Sequence, residues 1–329
     1  MSTANAAPAT IPLLEVTELV KSFPVRRGFF GQHRLRLYAV DRVSLTVRQG
    51  ETLGLVGESG CGKSTLALTI MQLYAPTSGV VRFEGQPVQA EDSAIMRKVR
   101  REMQMIFQDP FASVDPRLTV EQIIREPLDI HALGSTPERN AEVRRLLGIV
   151  GLSAEAAERY PNEFSGGQQQ RIGIARALAL QPKVLICDEP VSSLDVSVQA
   201  QILNLLRDLQ EQFQLTYLFI SHNIAVTGFM SQRIGVMYLG RLMEMGPSKT
   251  IVNSPRHPYT QALLTTVPEP DPRLRGRQRA VRGEIPSPID RPPGCPFHPR
   301  CPIAVARCAQ EEPQLRMIGS DHAVACHLA

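Results

Sequence analysis

Apolar positions along this chain fall into short blocks that suit strands, separated by glycine turns and by longer stretches with helical spacing. Leu13 to Val20 alternates apolar with polar residues, and Val43, Leu45 and Val47 alternate with Ser44, Thr46 and Arg48; each predicts a strand. Between them Gly28, Gly31 and the nearby arginines read as a surface loop. Leu53–Val56 and Met103–Phe107 are apolar runs of strand length, and Thr216–Ile220 is another. Val184–Cys187 is continuous and ends in Asp188 and Glu189, the pattern of a buried central strand that delivers acids to the carboxyl edge of a parallel sheet. Helical spacing appears over Leu66–Leu73, over Gln169–Leu180, and at Val198, Ile202, Leu205, Leu206, Leu209 and Phe213, which share one face. From Thr119 to Glu158 the apolar residues (Ile123, Ile124, Leu128, then Val143, Leu146, Leu147, Val150) predict a small helical subdomain inserted into an α/β core. Ile234–Tyr238 and Leu242–Met245 flank Gly240 and Arg241 as a hairpin, and a short helix is expected over Thr260–Thr266.

Composition narrows the class. A chain of 329 residues, 43% of them hydrophobic, has room for a main domain with a real core and a smaller appendage. The charge balance, 36 basic against 32 acidic residues, does not call for nucleic acid as a partner, and the cluster Arg26, Arg27, Arg34 and Arg36 reads as a solvated loop. The first twelve residues lack the basic segment and apolar stretch of an export signal and read as a disordered tail. No run approaches the roughly eighteen apolar residues of a membrane-spanning helix, so work at a membrane would require another chain to cross it.

The chemistry concentrates in one loop: Gly57, Glu58, Ser59, Gly60, Cys61, Gly62, Lys63, Ser64 and Thr65 fit G-x-x-x-x-G-K-[ST] between a predicted strand and a predicted helix. Glycines let successive N–H groups turn inward toward phosphate oxygens, and the helix start behind them adds partial positive charge. Lys63 would reach the β- and γ-phosphates, with the Ser64 hydroxyl and Asp188 on Mg²⁺. Glu189 would polarise the attacking water. Gln108, at the end of a strand, can touch Mg²⁺ or that water, and His222 at the same sheet edge can hydrogen-bond the γ-phosphate. Ser165, Gly166, Gly167 and Gln168 open a helix and form a second anion grip. Phe23 suits either an adenine-stacking ring or an ordinary core aromatic.

The order and identity of these pieces resemble the ATP-binding subunits of ABC transporters, from about Leu13 to the C-terminus. Gly57–Thr65 is similar to the family's Walker A loop, Gln108 to its Q-loop, Ser165–Gln168 to its signature motif, and Val184–Asp188 to Walker B with Glu189 as the catalytic glutamate. Ser193–Asp195 resembles the D-loop, His222 the H-loop histidine, and Phe23 the aromatic residue that stacks on adenine. Two departures are Phe164, where the signature usually has Leu, and Asn223, where Asp often follows the histidine. The resemblance implies an α/β P-loop NTPase core with an antiparallel β subdomain. It places an ATPase domain at 13–250, the helical subdomain at about 109–165 and a C-terminal extension at 251–329. It also implies ATP and Mg²⁺ as ligands, and a head-to-tail dimer in which Ser165 and Gly167 serve the partner's nucleotide.

The segment His257-Pro258-Tyr259, followed by Gly283 to Pro288, is similar to the extension of dipeptide and oligopeptide importer ATPases, and the motif wording looks most like the second of their two ATPases. Implied with it are a heterodimer with a homologous ATPase, two membrane permeases, a substrate-binding protein outside the membrane, and a peripheral position on the cytoplasmic face of the inner membrane. Nickel, glutathione and opine importers are the alternative cargo classes. A drug-exporter motor and a soluble ABC protein acting on ribosomes or DNA are the rivals; the chain has one cassette and no sustained heptads, which disfavours the second. Cys295, Cys301, Cys308 and Cys326, separated by five, six and seventeen residues, suggest a metal staple in a segment too small for its own core. The resemblance to peptide importers implies a [4Fe-4S] site for this tail, with zinc or free or disulfide-bonded thiols as alternatives and His298, His322 and His327 as substitute ligands.

Overall fold

The computed structural model describes residues 11–27, 33–109, 114–266 and 283–329. Nearly all of the expected N-terminal tail, and the expected loop at Gly28 and Gly31, lie outside the described residues. In chain order the protein supplies β1 (Leu14–Arg27), β2 (His33–Val47), β3 (Thr52–Val56), α1 (Lys63–Ile70), β4 (Ser78–Phe83), β5 (Gln86–Pro87), α2 (Ser93–Glu102) and β6 (Met103–Ile106). The helices α3 (Val120–Ile130), α4 (Thr136–Ile149) and α5 (Gly166–Leu178) follow, then β7 (Val184–Asp188), α6 (Val196–Phe213), β8 (Thr216–Ser221) and α7 (Ile224–Met230). The chain closes with β9 (Arg233–Tyr238), β10 (Arg241–Pro247), α8 (Ser248–Asn253), α9 (Pro258–Thr265), α10 (Ala306–Gln310), β11 (Arg316–Met317) and β12 (Ala323–Val324).

The larger sheet runs β11-β12-β10-β9-β3-β8-β7-β6 and sets the site. Its middle strands are parallel, with Val56 beside Ser221, Asp188 beside Ile220 and Ile106 beside Cys187. β3, β7 and β8 are buried at every position, as their unbroken apolar runs require of strands covered on both faces. Because the strands run the same way in this register, their carboxyl ends meet at one edge. The smaller sheet, β2-β1-β4-β5, is antiparallel.

The first two strands extend well past the alternating blocks, which corrects the loop expected around the arginines. β1 and β2 pair as far as Arg26 opposite Arg34 and Arg27 opposite His33, and the Arg36 guanidinium donates to Ser22 Oγ at 3.2 Å. Backbone pairing satisfies N–H and C=O groups whatever the side chains are, so a basic composition does not end a hairpin. Between 119 and 163 the chain builds α3, α4 and two short 3₁₀ turns, with Thr119 and Gln122 closing a capping box at the start of α3.

The C-terminal segment is fastened to the core by an aromatic cluster and a buried acid. Tyr238, Tyr259 and Phe297 are fully buried, with ring centroids 4.7 to 5.4 Å apart. Such pairs add about 0.5–1.5 kcal/mol each beyond the area they bury. Glu244 in β10, with no exposure, accepts from the Arg256 and His257 N–H groups at 2.7 and 3.0 Å and faces His322 Nε2 at 2.8 Å. His257 caps α9, its Nδ1 accepting from the Tyr259 N–H at 3.0 Å, and burial pushes its pKa down to about 4 from the ordinary 6.5.

The His257 imidazole therefore stays neutral in the folded protein while the unfolded chain takes up a proton below pH 6.5. The stability it contributes is complete above pH 6.5 and is lost as pH falls to about 4, a loss of about 3 kcal/mol for this shift. Denaturant melts across that range should show the slope in the wild type and a flatter one in His257→Asn, which keeps a cap but no titration; identical slopes would refute the assignment.

Candidate functional site

The loop from Gly57 to Thr65 joins β3 to α1 and wraps around the Lys63 side chain. Lys63 is 4% exposed, and its Nζ donates to the Gly57 and Glu58 carbonyls at 2.8 and 3.1 Å. Its charge therefore sits inside the loop, where the start of α1 adds to the positive potential. Gly62 has φ of 106°, and a Cβ there would lie 2.0 Å from the Ala39 carbonyl oxygen. Gly57 is as tight, since its Cβ would lie 2.1 Å from the Met237 carbonyl oxygen. The backbone can follow this path only without side chains at those two positions.

Both carboxylates at the end of β7 reach this loop. Ser64 Oγ donates to Asp188 Oδ1 at 3.0 Å, and burial, set against that bond, raises the Asp188 pKa. A cation at Ser64 and Asp188 would offset the cost of keeping this buried acid ionised. Glu189 takes φ of +46°, a left-handed conformation rare for a residue with a side chain, so the alternation that would send neighbouring side chains to opposite faces stops at Asp188. The Glu189 carboxylate is thereby brought among three groups: His222 Nδ1 at 2.9 Å, Gln108 Nε2 at 3.3 Å and Lys63 Nζ at 3.9 Å. Strain of this kind costs on the order of 1–3 kcal/mol and concentrates at functional positions.

An open cleft of about 280 Å³ lies over the loop, lined by Ser59 to Thr65, Gln108 and Glu189 on one side and by Phe23, Tyr38 and Ala39 on the other. Phe23 is half-buried, edge-on to Tyr74 with ring centroids 5.5 Å apart and with Lys21 Nζ 5.0 Å from its ring centre. It is thus a cleft wall and not a closed core residue. Ser165 caps α5 and shares a capping box with Gln168, and both are exposed. The turn Ser165, Gly166, Gly167, Gln168 is not part of the cleft lining, so a single chain does not bring the two anion grips together. The two sequence departures are absorbed locally. Asn223 Oδ1 caps α7 by accepting from the Ala225 and Val226 N–H groups, and Phe164 is buried with the Arg159 guanidinium 4.5 Å from its ring centre.

Cys295, Cys301, Cys308 and Cys326 line one cavity of about 10 Å³ together with His298 and His327, and all four are free thiols. His322 is not at this cavity: it is held on Glu244, which corrects its place among the substitute ligands. Among the described residues no group of three or more His, Cys, Asp or Glu is drawn together as a metal site.

Several residues outside the nucleotide motifs also touch the site, among them Tyr259 and Pro288 from the segments that resemble the peptide-importer extension. Tyr259 OH accepts from the Glu58 N–H at 2.9 Å, and Arg300 reaches the Glu58 carboxylate. Pro288 lines the cleft, and Arg291 bonds both the Tyr38 carbonyl and Asp41 beside it. The sequence marks these positions as part of the C-terminal extension but does not show that they reach the phosphate loop, because Tyr259 and Arg300 meet Glu58 across 201 and 242 positions.

Residues 40–192 match the family model described as ABC transporter, and residues 243–308 match the one described as oligopeptide/dipeptide transporter, C-terminal region. The chain is 51% identical over 321 residues to the oligopeptide transport ATP-binding protein AppF of Bacillus subtilis, covering 96% of this chain and 97% of that protein. It is 50% identical to the putative oligopeptide transport ATP-binding protein YkfD of the same organism, with 97% and 96% covered. Among solved structures, the dimeric post-hydrolysis state of the ATP-binding cassette MJ0796 bound to ADP and Pi superposes with a TM-score of 0.63 at 30% identity, over 71% of this chain and 98% of that one.

Gly62→Ala tests the loop geometry without removing a polar group. The backbone must shift to relieve the contact with Ala39, so the variant should lose about 2 kcal/mol or more of unfolding free energy. A denaturation midpoint equal to that of the wild type would show that the loop is not held in this conformation.

Proposed function

The chain belongs to the ABC transporter ATP-binding subunits that carry the oligopeptide/dipeptide-transporter C-terminal region, and from that membership we propose that it powers import of di- and oligopeptides through separate permease subunits. It is an ATP-hydrolysing enzyme. The observation that best supports the cargo class is the match of residues 243–308 to the oligopeptide/dipeptide transporter C-terminal region, in a chain about half identical to oligopeptide transport ATP-binding proteins.

Within this reading the residues divide the work as follows. Lys63 leaves its loop carbonyls to hold the β- and γ-phosphates, and Phe23 stacks on the adenine. Ser64 and Asp188, already in contact, would hold Mg²⁺ with Gln108 nearby; when bound, the metal supplies charge that offsets the phosphate oxygens. Glu189 takes the proton of the attacking water, oriented by His222 and Gln108, and His222 then lies beside the transferring phosphoryl. The Ser165–Gln168 turn serves the nucleotide of a second, homologous ATPase in a head-to-tail heterodimer, its N–H groups stabilising the charge that develops on phosphate. Its position away from its own cleft supports that arrangement.

Permease docking is supported by a groove of about 410 Å³ beside the strand that leads to Gln108. Leu73, Phe107 and Ile130 are 56%, 40% and 72% exposed on its walls, a surface suited to a short amphipathic segment of a membrane subunit. We place the chain as a peripheral subunit on the cytoplasmic face of the inner membrane, receiving cargo through an external binding protein; among the described residues no helix is long and apolar enough to cross a membrane. For the tail, four thiols line one cavity without being drawn together as a metal site among the described residues; the group we propose for them is a [4Fe-4S] cluster, with zinc or free or disulfide-bonded thiols as the alternatives. Iron analysis and visible absorbance after anaerobic purification test this, and their absence rejects the cluster.

Glu189→Gln should bind MgATP and lose roughly 10²-fold or more of turnover, the range for removing a general base; full turnover would reject Glu189 as that base. Lys63→Ala should instead weaken MgATP binding itself, and an unchanged Kd contradicts its role. In proteoliposomes with both permeases, the partner ATPase and the binding protein, peptide should stimulate hydrolysis; stimulation by a metal ion or glutathione but not by peptide would overturn the cargo.

A further inference from the structure

Glu58 is an unusual residue to place in a loop that gathers positive charge for an anion, because its carboxylate opposes the field of Lys63 and the α1 terminus. Every polar group of Glu58 is engaged. The carbonyl takes Lys63 at 3.1 Å, and the N–H donates to Tyr259 OH at 2.9 Å. Both carboxylate oxygens accept from the forked guanidinium of Arg300, at 2.7 and 2.9 Å. Arg300 lies 242 positions along the chain, its side chain is 4% exposed, and it also faces the Tyr238 OH at 3.3 Å. Its guanidinium is 5.8 and 5.9 Å from the ring centres of Tyr238 and Phe297, so the cation is seated in the aromatic cluster that fastens the tail. It ends the 3₁₀ turn His298–Arg300 and immediately precedes Cys301.

We infer that Arg300 is a positioning residue for nucleotide binding, which cancels the Glu58 charge and pins the base of the phosphate loop from the C-terminal extension. The inference rests on the ATP-binding reading above. A tail anchored only for stability could grip any part of the core surface. This one instead neutralises the single acidic side chain within the loop and, with Tyr259, fixes the peptide unit whose carbonyl holds Lys63. A bidentate guanidinium–carboxylate pair this little exposed fixes direction as well as charge, which a lysine in its place would not do. Removing Arg300 leaves a partly buried, unpaired carboxylate beside the phosphate cradle, a cost that falls on nucleotide affinity.

The test is a titration of MgATP into the full-length protein. Arg300→Gln should raise Kd about tenfold, the scale of one charge-assisted hydrogen-bonded contact, with kcat at saturation changed by no more than about twofold. The double variant Glu58→Gln/Arg300→Gln should return Kd to within about twofold of wild type, because there is then no charge to cancel. A wild-type Kd in Arg300→Gln, or a double variant as weak as Arg300→Gln alone, overturns the inference. Should Arg300→Gln fail to fold, Arg300→Lys carries the test: a rise of about threefold is expected for loss of the fork with charge retained, and an unchanged Kd overturns it. The wild-type isotherm reports separately on the parent reading, since a wild type that does not bind MgATP would sink both.

Discussion

Parallel pairing of β3, β8 and β7 in a single register is the constraint on which the site depends. Val56 lies beside Ser221 and Asp188 beside Ile220, so the phosphate loop, the two acids and His222 leave the sheet at the same edge. A slip of one residue in any of these strands would exchange the side chains packed against the two covering layers and carry its polar terminal residues out of line with those of its neighbours, which close packing on both faces resists. The hydrophobic core fixes the chemistry in this indirect way: burial sets the register, and the register sets which polar residues meet.

At that edge the protein accepts local cost for function. Glu189 is held in a left-handed conformation, Asp188 is a buried acid with a raised pKa, and Lys63 is enclosed by carbonyls. Each is unfavourable alone. Together they leave a concentrated positive charge and a poised carboxylate a few ångströms apart, over a cleft open enough to admit a nucleotide. The glycines at 57 and 62 make this possible, because a Cβ at either would strike a backbone carbonyl.

The C-terminal extension is part of this arrangement. Tyr259 and Arg300 hold Glu58, while Pro288 and Arg291 border the cleft on its other side. The buried ring cluster of Tyr238, Tyr259 and Phe297 joins the hairpin strand β9 to this segment, so that the loop and the tail share one packed interior. A change in how the cysteine-bearing turn packs has a short mechanical route to the phosphate loop.

What the sequence by itself determined is whatever depends on neighbours along the chain. Gly57 to Thr65 between an apolar run and a helix, the acids that end Val184–Cys187, and the serine and glycines before α5 are local patterns whose chemistry can be read from spacing. The continuous apolar blocks likewise identified the central strands. Local composition misled at Arg26, Arg27, Arg34 and Arg36, where backbone pairing carries strands through a basic stretch. Only the tertiary structure decided which side chains converge. Arg300 on Glu58, Tyr259 on the Glu58 N–H and the removal of His322 to Glu244 join residues from about eighty to more than two hundred positions apart. Such contacts follow from how layers pack against one another, and no periodicity or spacing within a single segment encodes them.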